Sequence, residues 1–269
     1  MDRPPTIPAG IPTDARCRRQ TDPRVHWPTT ITTLADLRVL KQSEAGLVVA
    51  GTASAGDAVV VKIRRLAGVK GALRALLGMT PMARAWRTAA RLRAVGIATA
   101  QPLALLAGTS GRERVEVLVL PEIAGRTLLA RLADRDLPEP VERVAAGNIA
   151  DMVAHLASRR LANRDHKPSN IIVGDTGRPV LLDAELRTAP PAEAAARMLA
   201  SLAIEPSGVG ITLPRVPTAR VLRLVASRLA EHGVDCSARD LRDAAAAIIN
   251  RHGDPTPKDN PLAPPDTTE

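Results

Sequence analysis

A short polar loop carries the residues of this sequence that are best suited to chemistry. In the stretch NRDHKPSN, residues 163–170, Asp165 and Asn170 lie five positions apart with Lys167 between them, and an apolar Ile-Ile-Val segment follows directly. Asp183 follows a second apolar segment, VLL. A carboxylate can accept a proton, and carboxylate and amide oxygens are ligands that Mg²⁺ prefers. These residue types and spacings therefore indicate a site built on two loops.

The spacing resembles the catalytic loop H-R-D-x-x-x-x-N of protein-kinase-like enzymes, followed by their metal-binding D-F-G turn. The resemblance implies phosphoryl transfer, which needs a base at the acceptor hydroxyl, metal ions on the phosphates and a cation that holds them. It assigns Asp165 as the base, Asn170 and Asp183 as Mg²⁺ ligands, and Lys167 as a contact of the γ-phosphate. The alternative is that Asp165 and Asn170 only cap turns and that Asp183 only begins a loop.

The upstream half of the sequence offers a matching lysine. Apolar runs predict three short strands over residues 37–41, 46–52 and 58–63, with SAGD as a hairpin turn between the last two. Lys62 ends the third strand, where kinases carry the lysine that binds ATP. By itself, a lysine at this position is more often a solvated edge residue. Gly46 is the best candidate for a phosphate-binding glycine, although an ordinary turn explains it equally well.

Three further segments resemble the bacterial lipopolysaccharide core kinases, which phosphorylate heptose or 3-deoxy-octulosonic acid (Kdo). They are RAWRTAARLRAVGIATAQPLAL, PEIAGRTLLARL and VLLDAELR, and the likeness covers roughly residues 37–190. The second segment resembles the hinge of that family, so backbone atoms from Glu122 to Ala124 should meet the adenine of ATP. The resemblance also implies Mg²⁺ as a cofactor and a sugar or glycolipid as the acceptor.

The sequence departs from the kinase pattern at three positions. Asn163 replaces the histidine that usually begins the catalytic loop, and Ala184 replaces the phenylalanine of the metal-binding turn. Ala85 replaces the helix glutamate with which active kinases pair the strand lysine. No Asp or Glu occurs between Lys62 and Arg112. Reduced activity, or a nucleotide-binding pseudokinase, is therefore an alternative.

The order of predicted elements gives an α+β fold with two lobes, of the protein-kinase-like type. A small β-rich N-lobe is expected over residues 37–120 and a mainly helical C-lobe over 121–250. Further elements are helices over 81–96, 140–161, 193–204 and within 216–250, and strands over 115–120, 170–173 and 180–182. The ends, 1–36 and 251–269, are rich in proline and polar residues and are predicted to be disordered.

Composition limits the partners that the protein can have. The formal net charge is +9, and the chain has two Trp but no Phe or Tyr, which argues against nucleic-acid binding through stacked aromatic side chains. The acid-free, arginine-rich stretch after Lys62 attracts phosphates or an anionic membrane face, although a solvated basic surface explains it equally well. Two isolated cysteines and the lack of an apolar leader favour the cytosol, with peripheral contact at the inner face of the membrane.

Two other classes compete with a lipopolysaccharide-type kinase. One is a Ser/Thr protein kinase or a kinase of small molecules. Nothing after Asp183 resembles the A-P-E anchor of protein kinases, because RTAPPAEAAARML leads almost directly into a helix, so little platform for a peptide is expected. The other class is a non-catalytic binding or scaffold protein, which the alanine at position 85 favours.

Overall fold

The computed structural model describes residues 10–256 and residue 262. These residues form two compact units. Residues 10–94 and 100–122 belong to the first unit, and residues 95–99 and 123–256 to the second. The break after residue 122 lies close to the boundary at 120 that the sequence suggested.

The first unit is built on one antiparallel sheet of six strands, ordered β1-β5-β6-β4-β3-β2. The strands are β1 (Arg16–Gln20), β2 (Ala35–Ser43), β3 (Gly46–Thr52), β4 (Ala58–Arg65), β5 (Ala104–Ser110) and β6 (Glu113–Pro121). The four strands predicted in this region are confirmed. The sheet buries Val59, Val61 and Ile63 of β4 in one apolar cluster. Because side chains alternate along a strand, Lys62 points to the opposite face.

Three helices accompany this sheet: α1 (Trp27–Thr30), α2 (Gly68–Leu76) and α3 (Pro81–Ala94). The helix predicted over 81–96 is α3, and it begins where the sequence indicated. The Thr80 hydroxyl accepts a hydrogen bond from the Ala83 amide at 3.1 Å, which satisfies one of the free amides of the first turn. Gly96 follows the helix with φ +76, a conformation that glycine adopts without strain.

The prediction of disorder over residues 1–36 is wrong for the part that the structure describes. Strand β1 pairs with β5, and Trp27, Ile31 and Leu34 are buried in the same apolar cluster as the sheet. The many polar residues and prolines of this segment hid a few apolar side chains that pack against distant strands, and composition alone does not show such packing. Residues 1–9 lie outside the described residues.

The second unit is mainly helical. Its helices are α4 (Leu128–Asp134), α5 (Glu139–Ser158), α6 (Pro191–Gly208), α7 (Arg215–Glu231) and α8 (Ala238–His252). Helix α5 buries Ile149, Val153 and Leu156, as its apolar spacing predicted. Val144, predicted on the same side, is instead 49% exposed, because it lies about 100° around the helix from its buried neighbour Ala145 and so faces away from that core. Helix α8 extends into the tail predicted to be disordered, of which 257–261 and 263–269 lie outside the described residues.

Two small sheets of short strands complete this unit. Strand β9 (Ile171–Val173) lies between β10 (Pro179–Leu181) and β7 (Arg126–Thr127), and β8 (Leu161–Asn163) pairs with β11 (Leu186–Thr188). The two hairpin-like pairings hold the loop 164–170 and the turn 182–185 beside each other. The fold is thus α+β and two-lobed, with an antiparallel N-terminal sheet and a helical C-terminal unit, as expected for a protein-kinase-like chain.

Candidate active site

The loop between β8 and β9 brings Asp165 and Asn170 together. The Asn170 side-chain amide donates hydrogen bonds to the Asp165 carboxylate at 2.9 Å and to the Asp165 backbone carbonyl at 3.1 Å. A 3₁₀ turn, Pro168–Asn170, bends the chain back so that Asn170 lies beside Asp165. In this turn the backbone amide of Asn170 donates to the Lys167 carbonyl at 2.9 Å. The five-residue spacing seen in the sequence therefore closes a compact loop with the carboxylate held on one side.

Lys167 also faces this carboxylate. Its ammonium nitrogen lies 3.7 Å from one Asp165 oxygen, while Asn170 bonds the other oxygen. Both charged side chains are partly exposed, at 39% and 47%, so the pair contributes little to stability. What the contact supplies is position, since it places a cation directly beside the candidate base.

Asn163, at the position where kinases have histidine, ties the loop to the Asp183 turn. Its buried side-chain oxygen accepts hydrogen bonds from the Asp165 amide at 3.3 Å and from the Glu185 amide at 2.9 Å. The Arg164 amide donates in turn to the Glu185 carbonyl at 2.8 Å. An asparagine can thus do the architectural work of the missing histidine, because one amide oxygen satisfies a backbone donor on each of the two loops.

Asp183 lies in the turn between β10 and β11, two residues before Glu185. The Leu182 amide donates to the Asn170 carbonyl at 2.9 Å, which links the start of this turn to the end of the catalytic loop. The chain thus holds both predicted metal ligands, Asn170 and Asp183, on adjoining segments of the second unit.

The donors present fit a magnesium ion that shares its coordination with phosphates. Asn170 uses its amide nitrogen on Asp165, which leaves its side-chain oxygen for another contact, and Asp183 offers a carboxylate. Within residues 10–256 and 262, no group of three or more His, Cys, Asp or Glu residues could hold a metal. A site with few protein ligands, all of them oxygens, is expected for a Mg²⁺ ion that is bound mainly through substrate phosphates.

Two residues that the sequence analysis overlooked stabilise the loop. Glu205 of α6 accepts hydrogen bonds from the Ser169 amide at 2.8 Å and from the Ser169 hydroxyl at 2.6 Å. His166 is fully buried, and burial lowers its pKa from 6.5 to about 4. His166 is therefore neutral near pH 7 and fills space under the loop. An isolated acid in the apolar stretch MLASLAIEPSG was the available signal for Glu205, and His166 gave none.

A concavity of about 580 Å³ adjoins Asp165 within the second unit. Its charged lining is mostly basic and comes from the loop, from β11 and from helices α6 and α8. The basic side chains are those of Arg164, Lys167, Arg187, Arg197 and His252, and the acidic ones are those of Asp165, Glu193 and Glu205. The Arg197 guanidinium donates to Glu193 at 2.8 Å, so part of this charge is already balanced. Arg164 and Arg187 share one partner, Glu185, at 3.7 and 3.9 Å, so these two guanidinium groups can also bind an acceptor that carries negative charge.

In the first unit, Lys62 lies in the middle of the sheet. It is half-buried on β4, opposite Val48 of β3 and Leu118 of β6. Ala85 lies on α3, and that helix contains no acidic residue. The family's lysine–glutamate pair therefore cannot form between Lys62 and this helix.

Glu116 is a buried acid on the same face of the sheet, opposite Arg64. Its carboxylate lies 3.7 Å from the Arg18 guanidinium, and neither of its oxygens has a hydrogen bond of good geometry. Burial raises the pKa of Glu116, which the nearby Thr80 hydroxyl and the Arg18 charge only partly oppose. The Glu116 carboxylate therefore faces Thr80, just before α3, and Arg18 of β1.

The other residues predicted to bind nucleotide have local explanations of their own. A Cβ at Gly46 would lie 2.0 Å from the Ile63 carbonyl oxygen, so close packing of β3 on β4 already requires glycine there. The Glu122 amide donates to the Ala58 carbonyl at 2.9 Å, and its carboxylate accepts from Arg38 at 2.8 Å. Because these two groups of Glu122 already have partners, a hinge contact with adenine would use the backbone carbonyl of Glu122. Ala124 is exposed.

The fold has the two-lobed architecture of protein-kinase-like chains, and the family match adds the class of protein, a phosphotransferase. The chain belongs to the lipopolysaccharide kinase (Kdo/WaaP) family, whose model matches residues 49–202, more than half of the chain. The match includes Lys62, the catalytic loop and Asp183. A comparison with individually curated proteins gives no match. Among the helices of the described residues, none has the length and apolar character needed to cross a bilayer.

Proposed function

We propose that the protein is an ATP-dependent kinase that transfers the γ-phosphoryl group to a hydroxyl of a lipopolysaccharide-type sugar. The observation that carries the proposal is the closed loop in which Asn170 and Lys167 hold the Asp165 carboxylate while Asn163 links it to the Asp183 turn. Such an arrangement pre-positions a base beside candidate metal ligands, which is what phosphoryl transfer requires of a protein.

Each residue then has a defined task. Asp165 orients the acceptor hydroxyl and accepts its proton, and Lys167, which already lies beside Asp165, contacts the transferred phosphoryl group. Asn170 and Asp183 hold Mg²⁺, which neutralises charge on the phosphates when bound. Lys62 binds the α- and β-phosphates, and backbone atoms of Glu122 and Ala124 bind the adenine.

The acceptor proposed is an anionic sugar, free or as part of a glycolipid. The lining of the concavity beside Asp165 supports it, because Arg164 and Arg187 share the single carboxylate of Glu185, at 3.7 and 3.9 Å, and can also pair with a carboxylate or phosphate group of the acceptor. The family match supports a sugar of lipopolysaccharide. A peptide acceptor is disfavoured, since α6 begins at Pro191, directly after β11 ends at Thr188, and leaves no long segment on which a peptide could lie.

The test is transfer of radiolabelled phosphate from ATP. The purified protein with Mg²⁺ would be offered a lipopolysaccharide-type glycolipid fraction, a mixed protein fraction and a panel of small sugars. We expect label in the glycolipid or in an anionic sugar, at a rate lower by roughly 10²-fold or more when Asp165→Asn replaces the wild type. Asp57→Asn, the same change at an exposed hairpin turn, is the matched control and should label normally. Label in the protein fraction alone would overturn the acceptor class.

A second candidate is an ATP-binding protein without turnover, and the absence of an acid from α3 favours it. The labelling experiment distinguishes this candidate from the active kinase. A pseudokinase would bind Mg²⁺-ATP and label no acceptor in any fraction.

A further inference from the structure

Helix α2 exposes the side chains that a helix of a globular protein normally buries. Val69, Leu73 and Leu76 recur at the spacing of one helix face, and their exposed fractions are 86%, 54% and 81%. Leu77 and Met79, just after the helix, are 60% and 57% exposed. Single exposed apolar residues are ordinary, but a contiguous group marks an interaction surface.

The protein holds this apolar face outward through the opposite side of the helix. Ala75 is the buried residue of α2, and a Cβ at Gly71 would lie 2.8 Å from the Leu66 backbone, so small residues form the inner face. The Arg18 guanidinium donates to the Ala75 carbonyl at 3.0 Å, and the Arg87 guanidinium donates to the Gly78 carbonyl at 2.6 Å. These contacts hold the inner side of the helix against the first unit, and Leu73 and Leu76 on its outer side stay exposed.

Cations flank the apolar face. Lys70 and Arg74 lie on one side of the helix, and Arg112 and Arg114 line a concavity that also includes Val69. All four are exposed, and none forms an ion pair with any residue in the described part of the chain. Glu113 lines the same concavity but pairs with Arg65 at 3.0 Å, and no acidic residue occurs between Lys62 and Arg112, so this surface keeps a net positive field.

We propose that α2, with Leu77, Met79 and these four cations, is a docking surface for an anionic lipid bilayer. An exposed apolar face with a basic border is the pattern of helices that lie in the membrane interface, where the apolar side chains enter the acyl boundary and the cations meet anionic head groups. A protein partner would need acidic residues around an apolar groove, whereas a bilayer supplies both features over its whole surface. The inference deepens the proposed function, since it explains how a kinase without a membrane-spanning helix in its described residues reaches a glycolipid, and the binding itself does not require catalysis.

The test is co-sedimentation with vesicles in the absence of ATP. One set contains phosphatidylcholine with about one third phosphatidylglycerol, and the other contains phosphatidylcholine alone. We expect the wild type to partition onto the anionic vesicles at least about tenfold more strongly than onto the neutral ones, because four cations face the surface. Raising the salt concentration should reduce this preference.

Two variants separate the apolar from the charged contribution. Leu73→Glu with Leu76→Glu should lower partitioning by tenfold or more, and Lys70→Gln with Arg74→Gln by on the order of tenfold. All four side chains are exposed, so the fold should tolerate the changes. Val144→Glu with Val216→Glu, two exposed apolar residues outside α2, is the matched control and should bind as the wild type does.

Several outcomes would overturn the inference. Equal binding to both vesicle types, or wild-type binding by the glutamate pair at positions 73 and 76, would remove α2 from the membrane surface. A lipid-free dimer that this pair dissociates would assign the face to a second copy of the chain. A wild-type protein that binds neither vesicle type, yet transfers phosphoryl groups to detergent-solubilised glycolipid, would overturn this inference alone. Vesicle binding without any phosphoryl transfer would sink the proposed function alone.

Discussion

Buried His166 makes the stability of the catalytic loop dependent on pH. Burial lowers its pKa from 6.5 to about 4, so the folded protein keeps the imidazole neutral while the unfolded chain protonates it near pH 6.5. The contribution of His166 to the free energy of unfolding is therefore fully present above about pH 6.5, and it is lost progressively as the pH falls towards 4. The complete shift corresponds to about 3 kcal/mol, and about 2 kcal/mol of it should be lost between about pH 7 and pH 5.

The measurement is urea unfolding at both pH values, for the wild type and for His166→Gln. Glutamine is similar in size and does not titrate, so any constant cost of the substitution cancels in the difference between the two pH values. Far-ultraviolet circular dichroism is the suitable probe, since helices dominate the second unit while both Trp27 and Trp86 lie in the first. His232→Gln, at an exposed position, controls for the loss of one histidine.

We expect the free energy of unfolding of the wild type to fall by about 2 kcal/mol more than that of His166→Gln over this interval. Both pH values lie above the pH range in which the hydrogen-bonded carboxylates begin to protonate, because hydrogen bonds lower their pKa values. These carboxylates are Asp14, Asp22, Asp240 and Asp254. Equal losses in the wild type and the variant would refute the view that His166 is buried in its neutral form.

Three substitutions test the loops and the missing acid. Asp183→Ala should abolish the Mg²⁺-dependent thermal shift caused by ATP, because it removes a charge and a metal ligand; an unchanged shift would exclude Asp183 from the site. Asn163→Ala leaves the Asp165 and Glu185 amides without their acceptor and should lower the free energy of unfolding by about 1–3 kcal/mol in urea titrations, whereas a neutral change would show that water replaces the bond. Ala85→Glu should leave turnover unchanged, since the wild-type chain organises its site without a helix acid; a gain of tenfold or more would contradict this.

The geometry of the candidate catalytic loop could be predicted from the sequence because it is local. Asp165, Lys167 and Asn170 lie within six consecutive positions, and the following strand fixes where the loop ends. In sequence, Asn163 is a departure from the kinase pattern at a largely architectural position, where asparagine can replace histidine. Its two hydrogen bonds became visible only when the pairing of β8 with β11 brought Glu185 beside it.

Features that depend on distant contacts could not be predicted. Glu205 reaches Ser169 across thirty-six positions, and no local pattern marks such a bond. Trp27 and Ile31 pack on strands far along the chain, and composition, which predicts disorder over residues 1–36, does not register such contacts. For helix α2 the apolar spacing is visible in the sequence. Only the structure shows which side of the helix faces the protein and that the apolar side faces outward.

The most direct test of the central claim, phosphoryl transfer at Asp165, is a paired measurement on Asp165→Asn. ATP affinity and turnover would be determined on the same preparation, with Mg²⁺ and the acceptor that the labelling experiment identifies. Asp165 acts on the hydroxyl in the transition state, so the account predicts affinity within a few-fold of wild type and kcat lowered by roughly 10²-fold or more. A variant that loses ATP affinity yet keeps its turnover per bound ATP would contradict it.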